Sequence, residues 1–205
     1  MSSILLVTSS PRGDASHSTR IARDFARRLQ AGLPNSELVT RDLASDPLPH
    51  IDADFASGIY TPAEARTPAQ QAVVARSDAL VDELFAADTI VISTGFINFG
   101  ISSNLKTWID HIARAGRTFS YGADGAKGLV TGKKVYVVLA SGGVYSDGPA
   151  VAFDQATPYL RTVLGFLGMT DIEFVRIEGV AMGPEAEARA IAEAVARTND
   201  FALAA

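Results

Sequence analysis

Apolar residues fall along this chain in short unbroken runs that alternate with longer stretches of helical spacing. Ile4 to Val7 is one such run, ending in Thr8-Ser9-Ser10-Pro11, and Thr89 to Ser93 and Lys134 to Ala140 repeat the pattern. Runs of this length bounded by turn residues suit strands buried on both faces, as in a parallel sheet. Glu37 to Leu43 and Asp171 to Ile177 predict two more strands. Between the first two, Ile21, Phe25 and Leu29 recur at helical spacing within Ser18 to Leu29, and Gly32 and Pro34 mark a stop. Thr67-Pro68 opens a second helix through Val73, Val74, Leu80, Val81, Leu84 and Phe85, with Thr as cap and Pro at the first helical position. Asn104 to Ala115, a helix containing Thr157 to Leu167, and an Ala-rich helix led by Glu185 to Val195 complete the set.

Strand and helix therefore alternate five times. Right-handed crossovers place a helix between parallel strands, so the pattern predicts an α/β fold with a doubly wound five-stranded parallel sheet and helices on both faces. No internal repeat or interdomain linker interrupts it, and a single domain over residues 1–205 is expected. Two stretches break the rhythm. Residues 46–68 carry Pro47, Pro49, Pro62 and Pro68 with little periodicity, a connection long enough to be functional or disordered. Arg117 to Gly132 holds four glycines and alternating Phe119 and Tyr121, which predicts a loop or hairpin excursion.

Charge narrows the classes of partner. Lys and Arg number 18 against 23 Asp and Glu, for a net charge of -5, and no basic run appears. A nucleic-acid partner is not expected on that balance. The absence of cysteine excludes disulfides, thiolate catalysis and Cys-ligated metals. His17, His50 and His111 make no metal-ligand spacing. The opening residues lack a basic region and the apolar run there is short, so no signal peptide is expected. No stretch approaches the roughly 20 apolar residues of a membrane span, and the expectation is a soluble, cytoplasmic protein.

In open α/β sheets ligands bind beyond the carboxyl ends of the strands, where strand order reverses. For a five-stranded sheet of order 2-1-3-4-5, that point lies between the first and third strands. Three segments should therefore meet there: Ser9 to Ser18, Thr94 to Ser102 and Ser141 to Gly148. The first leads into a helix, whose N-terminal N–H groups attract a phosphate, and the hydroxyls of Ser10, Ser16 and Ser18 add neutral donors. Ordinary N-capping accounts for the same serines. Neither the G-x-G-x-x-G fingerprint nor the Walker loop is present. In the second segment Phe96 and Phe99 flank Asn98, whose amide pairs with a ring bearing donors and acceptors; packing of both Phe rings into the core is the other reading. In the third, Gly142 and Gly143 either make a turn or offer backbone N–H groups to a ring edge.

These loops, together with Gly-Arg-Thr-Phe-Ser-Tyr at 116–121, Gly-Leu-Val-Thr-Gly-Lys-Lys at 128–134, Arg41-Asp42-Leu43-Ala44 and Gly-Pro-Glu at 183–185, resemble the FMN-dependent NADH-azoreductase/quinone reductase family. The likeness runs over nearly the whole chain. It implies a flavodoxin-like fold, a homodimer, and bound FMN that takes reducing equivalents from NADH or NADPH and passes them to quinones or azo compounds by a ping-pong mechanism. Carried over by position, it implies cofactor contacts at Ser10, Ser16, His17 and Ser18 for the phosphate and ribityl end. Phe96, Ile97, Asn98 and Phe99, with Ala140, Ser141, Gly142 and Gly143, would face the ring. Tyr60, Phe119, Tyr121, Tyr145 and Phe166 are candidates to wall the substrate face. No catalytic side chain is expected, because the redox chemistry belongs to the flavin.

Many members of that family have Tyr where this chain has Ile97 and Arg where it has Ser141. These departures bear on substrate preference, since backbone groups and Asn98 remain for the flavin. Two rivals share the topology. A non-catalytic flavodoxin-type electron carrier would not call for the 46–68 and 116–132 excursions. A signalling receiver domain would need acidic residues where Ser9-Ser10 and Ser93-Thr94 stand.

Overall fold

Strand β1 (Ser3–Thr8) is second from the edge of the main sheet, paired in parallel with the edge strand β2 (Glu37–Asp42) on one side and with β3 (Thr89–Gly95), the central strand, on the other. The computed structural model describes residues 2–204. Beyond β3 the sheet continues through β6 (Lys134–Ala140) to β7 (Asp171–Ile177), all parallel, in the order β2-β1-β3-β6-β7. Numbered by sheet strands alone this is the expected 2-1-3-4-5. The strands β4 (Phe119–Gly122) and β5 (Gly125–Gly128) stand apart as an antiparallel pair.

Alternation along each buried strand sends its side chains to two different cores. From β1, Leu5 and Val7 pack with helices α3 (Pro68–Ala86), α4 (Ser103–Ile112) and α5 (Ala156–Leu167), where Trp108, Leu84 and Leu164 are fully buried. Ile4 and Leu6 pack on the opposite face with α1 (His17–Gly32) and α6 (Pro184–Ala204), around Phe25 and Tyr136 at 4.8 Å in an edge-on pair. Each side chain of this size contributes about 1.5–3 kcal/mol by burial. This two-sided burial explains why the strands read as continuous apolar runs.

Helix starts follow the expected caps. Thr67 and Gln70 form a reciprocal capping box at α3, and Ser102 accepts the Leu105 N–H at 3.3 Å to open α4. Helix α4 ends at Ile112, three residues before the expected Ala115. The Thr118 hydroxyl takes the Arg114 N–H at 2.8 Å and donates to the Ile112 carbonyl at 2.7 Å, turning the chain away.

The two irregular stretches have structure of their own. Residues 46–68 contain the short helix α2 (Ala53–Gly58), started by the Asp52 carboxylate accepting the Phe55 N–H at 2.8 Å. Phe55 is buried edge-on against His111, with ring centroids 5.0 Å apart. The 117–132 excursion is the β4–β5 hairpin, and it packs on the end of α5 through two glycines. A Cβ at Gly128 would sit 2.2 Å from the Gly168 nitrogen, and Gly168 itself caps α5 with φ of 107°. Among the described residues no helix is long and apolar enough to cross a membrane.

Candidate functional site

The carboxyl ends of β1, β3 and β6 are tied together by short bonds that bring their loops to one place. The Ser9 N–H and hydroxyl both donate to the Ser93 carbonyl, at 3.1 and 2.9 Å, and the Phe96 N–H donates to the Ala140 carbonyl at 2.7 Å. Between the loops lies a cleft of about 430 Å³ at the switch point of the sheet. It brings together Ser10, Ser16, His17, Phe96, Ile97, Ala140, Ser141 and Gly142.

One end of the cleft is the start of α1. Ser16 caps this helix by accepting the Thr19 N–H at 3.4 Å, while the N–H groups of His17 and Ser18 meet no acceptor among the described residues. The Ser10 oxygen accepts the Arg12 N–H at 3.4 Å, which leaves its own proton free to donate. Ser18 does not line the cleft. It is fully buried behind Ser16, its hydroxyl 3.0 Å from that of Ser16, and a proton given by Ser18 leaves the Ser16 proton free for a ligand. The result is a set of neutral donors at the positive end of a helix dipole, suited to an anion.

His17 has a defined tautomer. The Arg20 guanidinium, which only donates, is 2.8 Å from Nδ1, so Nδ1 accepts and Nε2 carries the proton. That Nε2–H faces the Glu187 carboxylate at 3.1 Å, and Glu187 lines the same cleft.

The other end is more apolar, formed by Phe96, Ile97 and Ala140. The Gly142 and Gly143 N–H groups meet no acceptor among the described residues, while the Ser141 hydroxyl donates to the Gly143 carbonyl at 2.8 Å. Gly143 does not itself line the cleft. The chain leaving β7 folds over this loop: the Ala181 N–H donates to the Gly142 carbonyl at 3.0 Å, and the Gly179 N–H to that of Gly143 at 3.1 Å. A Cβ on Gly142 would press on the Ala181 methyl at 3.3 Å, so the close approach favours glycine. Val180, Ala181 and Glu187 thus complete the wall, and sequence reasoning passed over all three.

The loop after β3 is a tight hairpin. Ile97 and Gly100 exchange both backbone bonds at 2.9 Å, with φ of 48° at Asn98 and 69° at Phe99. Two consecutive positive φ values make this a type I′ turn, which suits Asn and strains Phe. Asn98 lines a second cleft of about 670 Å³ that shares Pro11 and Ile97 with the first. Phe99 lines neither cleft and packs against Phe153 at 5.4 Å.

Of the aromatic candidates, Tyr145 lies against Phe96, while Tyr60 is exposed beyond α2. Phe119 and Tyr121 of the hairpin cluster with Phe166 of α5, with centroids 5.6 and 4.6 Å from Phe119, and none of the three lines the cleft.

Charged groups brace the loop that carries Tyr145. Glu178 accepts the Tyr145 N–H at 2.9 Å and the Ser146 hydroxyl, and pairs with Arg176 at 3.2 Å. Arg176 also reaches Asp154 at 2.8 Å. Burial raises the Asp154 pKa, but bonds from the Thr157 N–H, Arg176 and the Thr157 hydroxyl outweigh it, leaving the carboxyl below its usual value.

Comparison with known proteins places this geometry in context. The family described as having a flavodoxin-like fold matches residues 2–201. An FMN-dependent NADH:quinone oxidoreductase of Mesorhizobium japonicum is 68% identical over 197 residues, covering 96% of this chain and 94% of that protein. The crystal structure of an azoreductase from Bacillus anthracis superposes with a TM-score of 0.91 at 30% identity, covering 98% of this chain and 99% of the other. A second B. anthracis structure, an FMN-dependent NADH-azoreductase in complex with FMN, gives 0.88 at 28% identity, covering 98% and 100%.

Proposed function

The chain belongs to the family of FMN-dependent NADH:quinone oxidoreductases with a flavodoxin-like fold, and on that premise we propose that it holds FMN in the switch-point cleft and reduces quinones and azo compounds at the expense of NADH or NADPH in two separate half-reactions. The observation that supports the reading is the cleft's polarity. Free helix N–H groups and serine hydroxyls stand at one end, and an apolar wall of Phe96, Ile97 and Ala140 beside the free Gly142 N–H stands at the other. A volume of about 430 Å³ falls in the range of small-molecule sites. The residues therefore fit a phosphorylated flavin.

The flavin, when bound, supplies the two-electron chemistry by exchanging a hydride. The chain's own residues bind, orient and shield. Ser10, Ser16 and the His17 and Ser18 N–H groups would hold the phosphate, with Ser18 acting through Ser16. Phe96, Ile97 and Ala140 would cover the ring, and the Gly142 and Gly143 N–H groups would donate to its polar edge, where negative charge collects on reduction. Asn98, at the border with the second cleft, would meet the ring edge, and Phe99 would hold that turn against Phe153. Tyr145 would wall the substrate side behind Phe96.

Nicotinamide and acceptor would occupy the same face of the ring in turn. Initial rates measured against both substrates should then give parallel double-reciprocal lines; lines that intersect would mean a ternary complex and overturn the shared-face mechanism. The active form is a homodimer in this reading. Phe99, Val151 and Phe153, and Tyr121 on the hairpin with Phe166 on α5, leave apolar surface exposed.

A further inference from the structure

The phosphate end of the cleft contains a group that opposes its apparent purpose. Glu187, in the first turn of α6, lines the cleft beside Ser10, Ser16 and His17. Its carboxylate accepts the one N–H that His17 can offer, at 3.1 Å, because Arg20 holds the other ring nitrogen as an acceptor at 2.8 Å. A phosphate entering here meets a carboxylate of like charge and a histidine whose proton is already committed. Arg12, on the same lining, is the cation facing this end, and Arg20 lies behind the imidazole.

We propose that Glu187 is a specificity-determining residue, which competes with the ligand's phosphate for the His17 N–H and so sets how strongly the cleft prefers a phosphorylated flavin over an unphosphorylated one. The inference rests on the FMN reading of the cleft. A phosphate bound to Ser10, Ser16 and the helix N–H groups gains the His17 bond only if the carboxylate yields it. Like charges separated by a few ångström at a half-exposed site repel appreciably, and an N–H shared between two acceptors serves each less well. The contact therefore holds phosphate affinity below what the donor set alone would give. Binding comes to depend on the ring contacts at Phe96, Ile97 and Ala140 as well. An anion that brings no ring, such as inorganic phosphate, gains little.

The test is a pair of titrations on the flavin-stripped full chain, following quenching of flavin fluorescence by FMN and by riboflavin. Riboflavin presents the same ring without the phosphate, so the ratio of the two dissociation constants isolates the phosphate end. Glu187→Gln removes the charge and keeps the shape, and Glu187→Ala removes both. Each should tighten FMN about threefold to tenfold, the scale of a partly exposed charge interaction, and leave riboflavin unchanged. Glu185→Gln alters an acid in the same helical turn that does not line the cleft, and should move neither constant. An unchanged ratio, or weaker FMN binding in both Glu187 variants, would overturn the proposal while leaving the FMN site standing. A wild-type chain that binds neither flavin would remove the site and the proposal together.

Discussion

The Tyr145 ring lies against that of Phe96, with centroids 4.3 Å apart and planes tilted by 30°. The two residues come from loops after different strands, and Glu178 at the end of a third fixes the distance by accepting the Tyr145 N–H at 2.9 Å. The wall of the cleft is therefore built from backbone anchoring at one residue and ring contact at the other. An aromatic pair of this kind contributes about 0.5–1.5 kcal/mol beyond its buried area. Tyr145→Ala should weaken FMN binding up to about tenfold on that scale, whereas Tyr145→Phe should match the wild type, since the Tyr145 hydroxyl makes no bond among the described residues. Fluorescence titration distinguishes them; equal loss in both would mean that the hydroxyl, not the stacked ring, is what matters.

The type I′ turn at Asn98 gives a second prediction. Asn98→Ala puts alanine at φ of 48° and removes the amide, while Asn98→Gly removes the amide but relaxes the backbone. If the amide meets the ring edge, both variants lose FMN affinity by about tenfold, the scale of one buried hydrogen bond. Tyr60→Ala, remote from the cleft, should lose none. Wild-type affinity in Asn98→Gly would reduce the role of Asn98 to shaping the turn.

Asp154 links the loop to pH. Its carboxyl titrates below the ordinary 3.8 when folded, because the Thr157 and Arg176 bonds outweigh burial. A depressed folded value means stability that is fully present above the unfolded pKa and is lost as pH falls through the folded one. Denaturant unfolding should therefore show Asp154→Asn about 2 kcal/mol less stable than wild type near neutrality, with the gap narrowing as pH falls below the ordinary carboxylate value of 3.8. A gap of constant size across that range would disconnect Asp154 from the acid limb.

Much of the framework was legible in the chain because parallel strands buried on both faces leave continuous apolar runs, as Ile4 to Val7 does. The doubly wound parallel sheet followed from the alternation with helices, and the place of the cleft followed once the flavodoxin-like strand order was taken for it. Helix α2 escaped notice because six residues are too few to show a helical period among prolines. Val180, Ala181 and Glu187 escaped for another reason. They reach the cleft only because the chain after β7 hydrogen-bonds back onto Ser141, Gly142 and Gly143, and small apolar residues or an acid in a helix's first turn carry no mark of that contact. The separation of Asn98 from the first cleft likewise depends on two successive positive φ values, which Asn suggests and Phe99 does not.

The central claim, that the switch-point cleft holds FMN and lets it exchange electrons with NADH and a quinone in turn, is tested most directly by an anaerobic absorption titration. The FMN-loaded protein should lose its visible flavin band on addition of one equivalent of NADH with no acceptor present, and recover it when one equivalent of benzoquinone follows. A protein that takes up no FMN, or a band that NADH leaves untouched until the quinone is added, would contradict the account.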